Sequence, residues 1–532
     1  MKLDLPLRRG FPQWAGILTS FIVILPVSMM NGAYTGSALE ISNTLGAMSE
    51  DVMMAYYCTS AGMAIAYPIV PKILSNVCPR SLLLVDLFLQ VLLSLICART
   101  EHISVVTAAS FLLGFLKAFV MLWFIRAIKP WFSPKDVRSE FYAYFYPLVF
   151  STGQLSMMFT AMLSYYYDWK YMYYLMIILL LAAMLAVLMV FRHTSVGSRV
   201  PVEQIDFKNM TVVSAGIMLL MFFFNYGRPL DWFHSPVIIA CAVIAPVLIG
   251  VFLWQMTSPP EKKFYISTAI LKHWKSPIGY AFMFFVMFMT SSSTLNTRFL
   301  MNVLGVDSLH AYSLNVWQLP GYFAGAFICF WWFRWQRWRF RYLISAGMFC
   351  YFIYFAILYF GISPFARYEM FIMPMMLRGF GMMVLFIAFG LYVVEDLEPK
   401  LMLSNTFFLI NSRSVLAPII ALSFYSNAQY RLQQHYVQSL SATVTEADPL
   451  AAARYGQSLG NAISQGFGFD QAQQVAVTSL NSTLQMQGLM LSVKDILGTM
   501  MVASLVVSVV SAFIPFHKAI RVRVVRTGED MV

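Results

Sequence analysis

Long apolar runs alternate with short polar connections along almost the whole chain, and the runs themselves show no period-two alternation. Fourteen are distinguishable: 15–33, 52–70, 82–98, 104–125, 141–165, 171–191, 211–225, 236–255, 277–297, 311–333, 342–360, 370–394, 403–425 and 496–516. Most hold the roughly 20 apolar residues that a helix rising about 1.5 Å per residue needs to cross about 30 Å of hydrocarbon. Hydrocarbon offers the backbone no hydrogen-bond partner, so the runs predict α-helices rather than barrel strands. One connection, 426–495, is long, polar and rich in Gln, Ser, Asn and Ala. Within it Val475, Val477, Leu480, Leu484, Met486 and Leu489 fall mostly three or four residues apart, which predicts an amphipathic helix leading into the last span.

Composition agrees with this reading. A chain of 532 residues that is 59% hydrophobic and 11% charged has too little polar surface for a soluble globule. Of its 36 Lys and Arg, 25 fall in connections on the side of the amino terminus, seven on the opposite side, and Lys117, Arg378, Arg413 and Lys494 within or at the edge of spans. That asymmetry predicts a multi-pass protein with both termini cytoplasmic. The net charge of +12 is spread over these connections without a continuous basic face, which argues for anchoring to lipid headgroups and against a nucleic-acid partner. In WWFRWQRWRF, 331–340, indoles and guanidinium groups share one membrane boundary, as interfacial anchoring by cation–π contact predicts.

The chemistry of an enzyme is missing from the pattern. All seven histidines fall outside the spans, and no HExxH, GxSxG or Walker motif is present. The six cysteines stand singly in or near spans and read as small packing residues. We therefore expect no cofactor and no metal. The informative residues are charges inside spans, since each needs a partner, a wet cavity or a route to the interface. Asp86 and Lys117 lie at depths that allow a buried pair, either structural or protonatable. Arg378 is near enough to a span end to snorkel outward. Arg413 reads as a contact to neighbouring carbonyls or to substrate. Asp495 opens the last span, where a carboxylate caps a helix or takes part in coupling. Asn225, Arg228 and Asp231 read as a structural turn.

Three stretches resemble the fourteen-helix drug exporters of the major facilitator superfamily, the EmrB/QacA type. They are SALEISNTLGAMSEDVMMAYYCTSAGMAIAYPIVPKI, with Leu45 and Gly46; MPMMLRGFGMMVLFIAFGLYVVEDLEPKLMLSNTFFLINSRSVLAPIIALSF, with Gly379, Phe380 and Arg413; and QMQGLMLSVKDILGTMM, with Gln485, Leu491 and Asp495. The chain departs from that family where its helix-four arginine falls on Ser110, and where its helix-five Gly-Pro motif is replaced by STGQLSMMFTAMLS, keeping only Gly153. The resemblance implies an all-α polytopic major facilitator fold with 14 transmembrane helices. Six would form a bundle within 1–210, two would be inserted at 211–275, and six would form a second bundle within 276–532, which includes the external loop 426–495. It further implies a proton-coupled exporter of amphipathic or apolar small molecules in a cell inner membrane, with Asp86, Lys117, Arg378, Arg413 and Asp495 as candidate substrate or coupling residues. The partners it implies are a periplasmic adaptor of the HlyD/EmrA type and an outer-membrane channel. A narrower exporter of lipid-like or siderophore-like metabolites and a non-transporting receptor or scaffold are the competing readings.

Overall fold

Side chains that are apolar on nearly every face leave the backbone one way to satisfy itself, within its own helix. The computed structural model describes residues 7–8, 10–134, 137–193, 206–257, 265–334, 340–395, 397–445, 448–514 and 516, and a helix overlies each of the fourteen apolar runs. These are α1 (Gln13–Met29), α2 (Ser49–Ala66), α3 (Pro79–Arg99), α4 (Ile103–Phe132), α5 (Arg138–Tyr166), α6 (Tyr171–Val190) and α7 (Phe207–Tyr226). They continue with α8 (Pro236–Thr257), α9 (Lys275–Asn302), α10 (Gln318–Arg334), α11 (Phe340–Gly361), α12 (Ile372–Val394), α13 (Met402–Thr443) and α14 (Phe469–Phe513). Among the described residues, ten are long and apolar enough to cross a membrane: α3, α4, α6 to α9 and α11 to α14. Helices α1 and α10 have 17 residues each. Helices α2 and α5 are longer but more polar.

The buried side chains form three clusters. One is built from residues 23–191 of α1 to α6. A second joins α9 to α14 and takes in Tyr146 of α5. In the third, α7 and α8 lean on α2, α4 and α13. Helix α12 is the most enclosed, every residue from Gly381 to Val394 being buried, whereas α8 is the least enclosed. Close packing depends on small residues: a Cβ on Gly62 would lie 2.1 Å from the Phe111 carbonyl oxygen, and one on Gly114 1.8 Å from that of Thr59. Such contacts let α2 and α4 touch backbone to backbone.

The first predicted run, 15–33, is not one helix. α1 stops at Met29, and residues 30–34 are non-helical before a short helical segment, Thr35–Leu45. Freed backbone groups inside a bilayer must find partners in the protein, and side chains of four other helices supply them. Lys117 Nζ of α4 donates to the Ser28 and Met30 carbonyls, 2.9 Å each. Ser156 of α5 donates to Met29 O at 3.0 Å, and the Tyr173 hydroxyl of α6 to Gly32 O at 2.5 Å. The Gly32 amide donates to Thr59 Oγ1 of α2 at 3.2 Å. The expected Asp86–Lys117 pair is therefore not made. Asp86 instead accepts from Gln90 Nε2 at 2.6 Å, one helical turn away on α3. Similar depth along their helices allowed the pair, but the open end of α1, with its carbonyls and its negative dipole, claims the ammonium.

The polar stretch 426–495 is also corrected: it is a helical hairpin rather than a loop. α13 runs on to Thr443, a further helix spans Pro449–Ser464, and α14 begins at Phe469. The expected helix at 475–489 is present, yet Val475, Val477 and Met486 are exposed. Small residues form the contact instead: Ala472, Ala476 and Gly488 are buried, and Gly488 packs against Val437. Asp495 lies far inside the 45-residue α14 and caps nothing; its carboxylate accepts from the Tyr436 hydroxyl of α13. The expected turn at Asn225 is anchored, since Asn225 Nδ2 donates to Glu50 O at 2.7 Å and Arg228 sits 4.9 Å from the Tyr430 ring centroid. In the Trp/Arg cluster, Arg334 lies 5.6 Å from the Trp331 ring; residues 335–339 lie outside the described residues. So do Lys2, Arg9, Lys135, Arg199, Lys262, Lys263, Lys518, Arg521, Arg523 and Arg526.

These contacts make Lys117 a brace for a broken helix. Lys117→Met should destabilise the protein in detergent by about 2–4 kcal/mol, the cost of stranding buried carbonyls. A double-mutant cycle with Asp86→Asn should return a coupling energy below about 0.5 kcal/mol. A coupling of several kcal/mol, read by thermal unfolding, would restore the ion pair.

Candidate functional site

In a helix, residues four apart share a face. On α5 that spacing lines up Tyr142, Tyr146, Phe150 and Gln154. The ring centroids of Tyr142 and Tyr146 are 5.1 Å apart, and those of Tyr146 and Phe150 6.3 Å. This stripe meets the carboxy-terminal helices directly. Phe386 of α12 packs edge-on against Phe150 at 4.8 Å and against Tyr146 at 6.1 Å, and Tyr322 of α10 lies 5.9 Å from Phe150. Part of the polarity of α5 has this origin: Tyr142, Tyr146 and Gln154 face other helices, so they need no hydrocarbon-compatible chemistry.

Two arginines lie along the stripe. Arg413 sits in a π-helical stretch of α13, Asn411–Leu416. A π turn disturbs the regular ladder, and Asn411 Nδ2 and Ser412 Oγ help to fix it by donating to the Phe407 and Tyr280 carbonyls, at 2.9 and 3.1 Å. The Arg413 guanidinium lies 5.2 Å from the Phe386 centroid and 5.8 Å from that of Tyr146. It is half-buried, its Nε and Nη1 reach no acceptor, and no carboxylate among the described residues is within 4 Å of it. The expectation of carbonyl contacts is thus replaced by contacts to aromatic faces. Tyr67 and Tyr142 lie within electrostatic reach of the same guanidinium.

Arg378 behaves differently. It is 3% exposed, so it does not snorkel; α10 approaches too closely for that. A Cβ on Gly379 would lie 2.5 Å from the Gln318 carbonyl oxygen. Arg378 Nη2 donates to Gln318 Oε1 at 3.0 Å, which also accepts from the Tyr322 hydroxyl at 2.9 Å. Gln154 Nε2 of α5 donates to that hydroxyl at 3.3 Å. From Gln318 the network continues through Asn315, whose Nδ2 reaches Met157 Sδ of α5 at 3.4 Å. Arg378 is thereby tied across α10 to α5.

Beyond both ends of the stripe, the two sets of helices are bridged again. Toward the hairpin, Ser308 Oγ donates to Glu40 Oε1 at 3.5 Å. Toward the opposite face, Arg138 Nη1 donates to Val394 O at 3.1 Å, close to the Lys275–Glu395 ion pair of 2.9 Å.

Of the five residues expected from sequence, Arg413 and Arg378 flank this interface. Lys117 and Asp86 lie inside the amino-terminal cluster, and Asp495 sits at the root of the hairpin. Tyr146, Phe150, Gln154, Gln318, Tyr322 and Phe386 were not anticipated. A signal for part of the group exists, in the four-residue recurrence of Tyr, Tyr, Phe and Gln through YAYFYPLVFSTGQ.

The family model described as Major Facilitator Superfamily matches residues 17–422, and the chain belongs to that superfamily of membrane transporters. The match ends before the hairpin and α14. No curated relative matches the sequence. Among solved structures, the fold is similar to a POT family transporter in complex with thioalcohol conjugated peptide, with 13% identity over 80% of this chain and 92% of that one and a TM-score of 0.51. It is also similar to tetrameric PepTSo2, with 12% identity over 94% of this chain and 97% of that one and a TM-score of 0.50. The nucleoside transporter NupG gives 12% identity over 90% of this chain and 99% of that one, with a TM-score of 0.49.

The Arg378 network yields a stability prediction. Gln318→Leu should cost about 2–3 kcal/mol in thermal unfolding, because a buried guanidinium loses its oxygen partner. Adding Arg378→Met to that variant should recover most of the loss; a further loss would show that Arg378 has another essential role in the fold.

Proposed function

We propose that the protein is a secondary active exporter of amphipathic or apolar small molecules, built as a fourteen-helix member of its superfamily of the EmrB/QacA type. In this reading, residues 1–210 and 276–532 form two six-helix bundles that rock against each other, and 211–275 contribute two peripheral helices. The observation that carries it is the α5 stripe, where aromatic and amide side chains of one bundle meet α10, α12 and α13 of the other. Aromatic walls bind many apolar bodies without demanding one shape, which suits a broad substrate range. Bridges on both sides of the stripe support alternating access, because opening toward either face requires one set to break.

The Lys and Arg asymmetry supports an inner-membrane protein with both termini cytoplasmic, which places the hairpin in the periplasm. There α13 projects about 27 Å beyond the predicted span end, at 1.5 Å per residue over residues 426–443. That reach suits contact with an adaptor of the HlyD/EmrA type serving an outer-membrane channel. For coupling, Asp86 is a buried carboxylate within a span that could take a proton, with Asp495 a second candidate at the hairpin root.

Inverted vesicles carrying the protein should accumulate an amphipathic dye when a proton gradient is imposed and lose it when the gradient is collapsed. Phe150→Ala and Tyr146→Ala should each slow accumulation about tenfold, equivalent to about 1.4 kcal/mol of lost contact. A wild-type protein that inserts correctly but shows no gradient-dependent uptake would mark it as a receptor or scaffold.

A further inference from the structure

Within a span, a guanidinium is tolerated when its N–H groups meet oxygen or when it borders a path open to ligand and water. Lys117 meets two carbonyls, and Arg378 meets Gln318. Arg413, about 16 Å from the start of α13 at 1.5 Å per residue and so near mid-membrane, meets only the faces of Tyr146 and Phe386. Aromatic faces attract the charge but accept little from N–H groups lying in the guanidinium plane. The N–H groups on Nε and Nη1 reach no acceptor. Around them, no hydrogen bond to the described residues engages the hydroxyls of Tyr67, Tyr142 or Tyr146. The protein thus gathers one fixed positive fork and several hydroxyl donors, with no negative charge among the described residues to match them.

We propose that this site takes the carboxylate of an amphipathic organic acid, with the fork of Arg413 on the carboxylate and the stripe of Phe150, Phe386 and Tyr146 against the apolar body. A planar fork of N–H donors matches two carboxylate oxygens, which a neutral or cationic head cannot do. A cation would be repelled by Arg413, and a purely apolar molecule would leave the guanidinium as it stands. The proposal rests on reading the stripe as the substrate path, and it narrows the substrate class from apolar molecules in general to organic anions. An anionic lipid headgroup offers the same chemistry. The position at mid-membrane between two sets of helices favours a free acid.

The test is binding of 2-naphthoate and its neutral isostere 2-naphthamide to the full-length protein in phosphatidylcholine nanodiscs, by calorimetry at neutral pH. Wild type should bind the naphthoate at least about tenfold more tightly than the amide, a comparison that needs no variant. Arg413→Gln should bring the two ligands level without weakening the amide, and Arg413→Lys should keep part of the preference. Equal binding in wild type, absence of naphthoate binding, or a preference that survives Arg413→Gln would overturn the proposal. Loss of naphthoate binding when phosphatidylglycerol replaces part of the lipid would reassign the site to headgroups and overturn the free-acid reading. Dye export without naphthoate preference removes this inference alone. Naphthoate preference without export removes the exporter reading alone.

Discussion

Hydrocarbon accepts no hydrogen bonds, and this constraint governs the structure from its helices to its site. It forces each apolar run into a helix, and it requires every interruption and every interior charge to be answered by the protein or by a path open to water or ligand. The break after α1 shows how far the requirement reaches. Residues 30–34 leave the helical ladder, and α2, α4, α5 and α6 each send a side chain to the exposed backbone around them. Lys117 is therefore committed, and the amino-terminal cluster is stapled around the point where its first helix opens.

The same accounting separates the two arginines. Arg378 is fully enclosed and bonded to Gln318, through which Tyr322 and Gln154 tie α12 to α5. Arg413 has no such answer from the protein, although it sits on the same interface. A charge held by aromatic faces alone, in a π turn, is costly to retain for stability, and such turns occur often at functional sites. It lies between sets of helices, against Tyr146 of α5 and Phe386 of α12. The hairpin adds a feature at the opposite scale, a helical projection whose seam includes Ala472, Ala476 and Gly488.

What the sequence revealed follows from how local each signal is. A span is written in about 20 consecutive residues, so a helix lies over each run and ten of these are long and apolar enough to cross a membrane, including the short run at 211–225, which is the 20-residue α7. Depth is equally local, being counted in rises of 1.5 Å. Azimuth is not. Counted depth allowed Asp86 and Lys117 to meet, yet which face each helix turns inward is decided by packing partners far away in the chain, here the open end of α1. For the same reason Arg378 was expected to reach outward, since nothing nearby in sequence announces how closely α10 covers it. Of the hairpin only the helix over 475–489 was legible; the extension of α13 and the helix Pro449–Ser464 were not, because these segments are polar and the contact is made through small residues such as Ala472, Ala476 and Gly488. The α5 stripe was legible in spacing, but its meaning required knowing that Phe386 and Tyr322 lie opposite.

The central claim is that Arg413 borders a path open to water, while the rest of the amino- and carboxy-terminal cores stays closed. It is tested most directly by thiol accessibility in a chain whose six cysteines, Cys58, Cys78, Cys97, Cys241, Cys329 and Cys350, have been replaced. A single cysteine at position 413 should react with a small, charged thiosulfonate reagent added from water, and a single cysteine in place of Ala118, which is fully buried, should not. If the cysteine at 413 is as inert as the one at 118, the guanidinium belongs to a sealed core and the account fails.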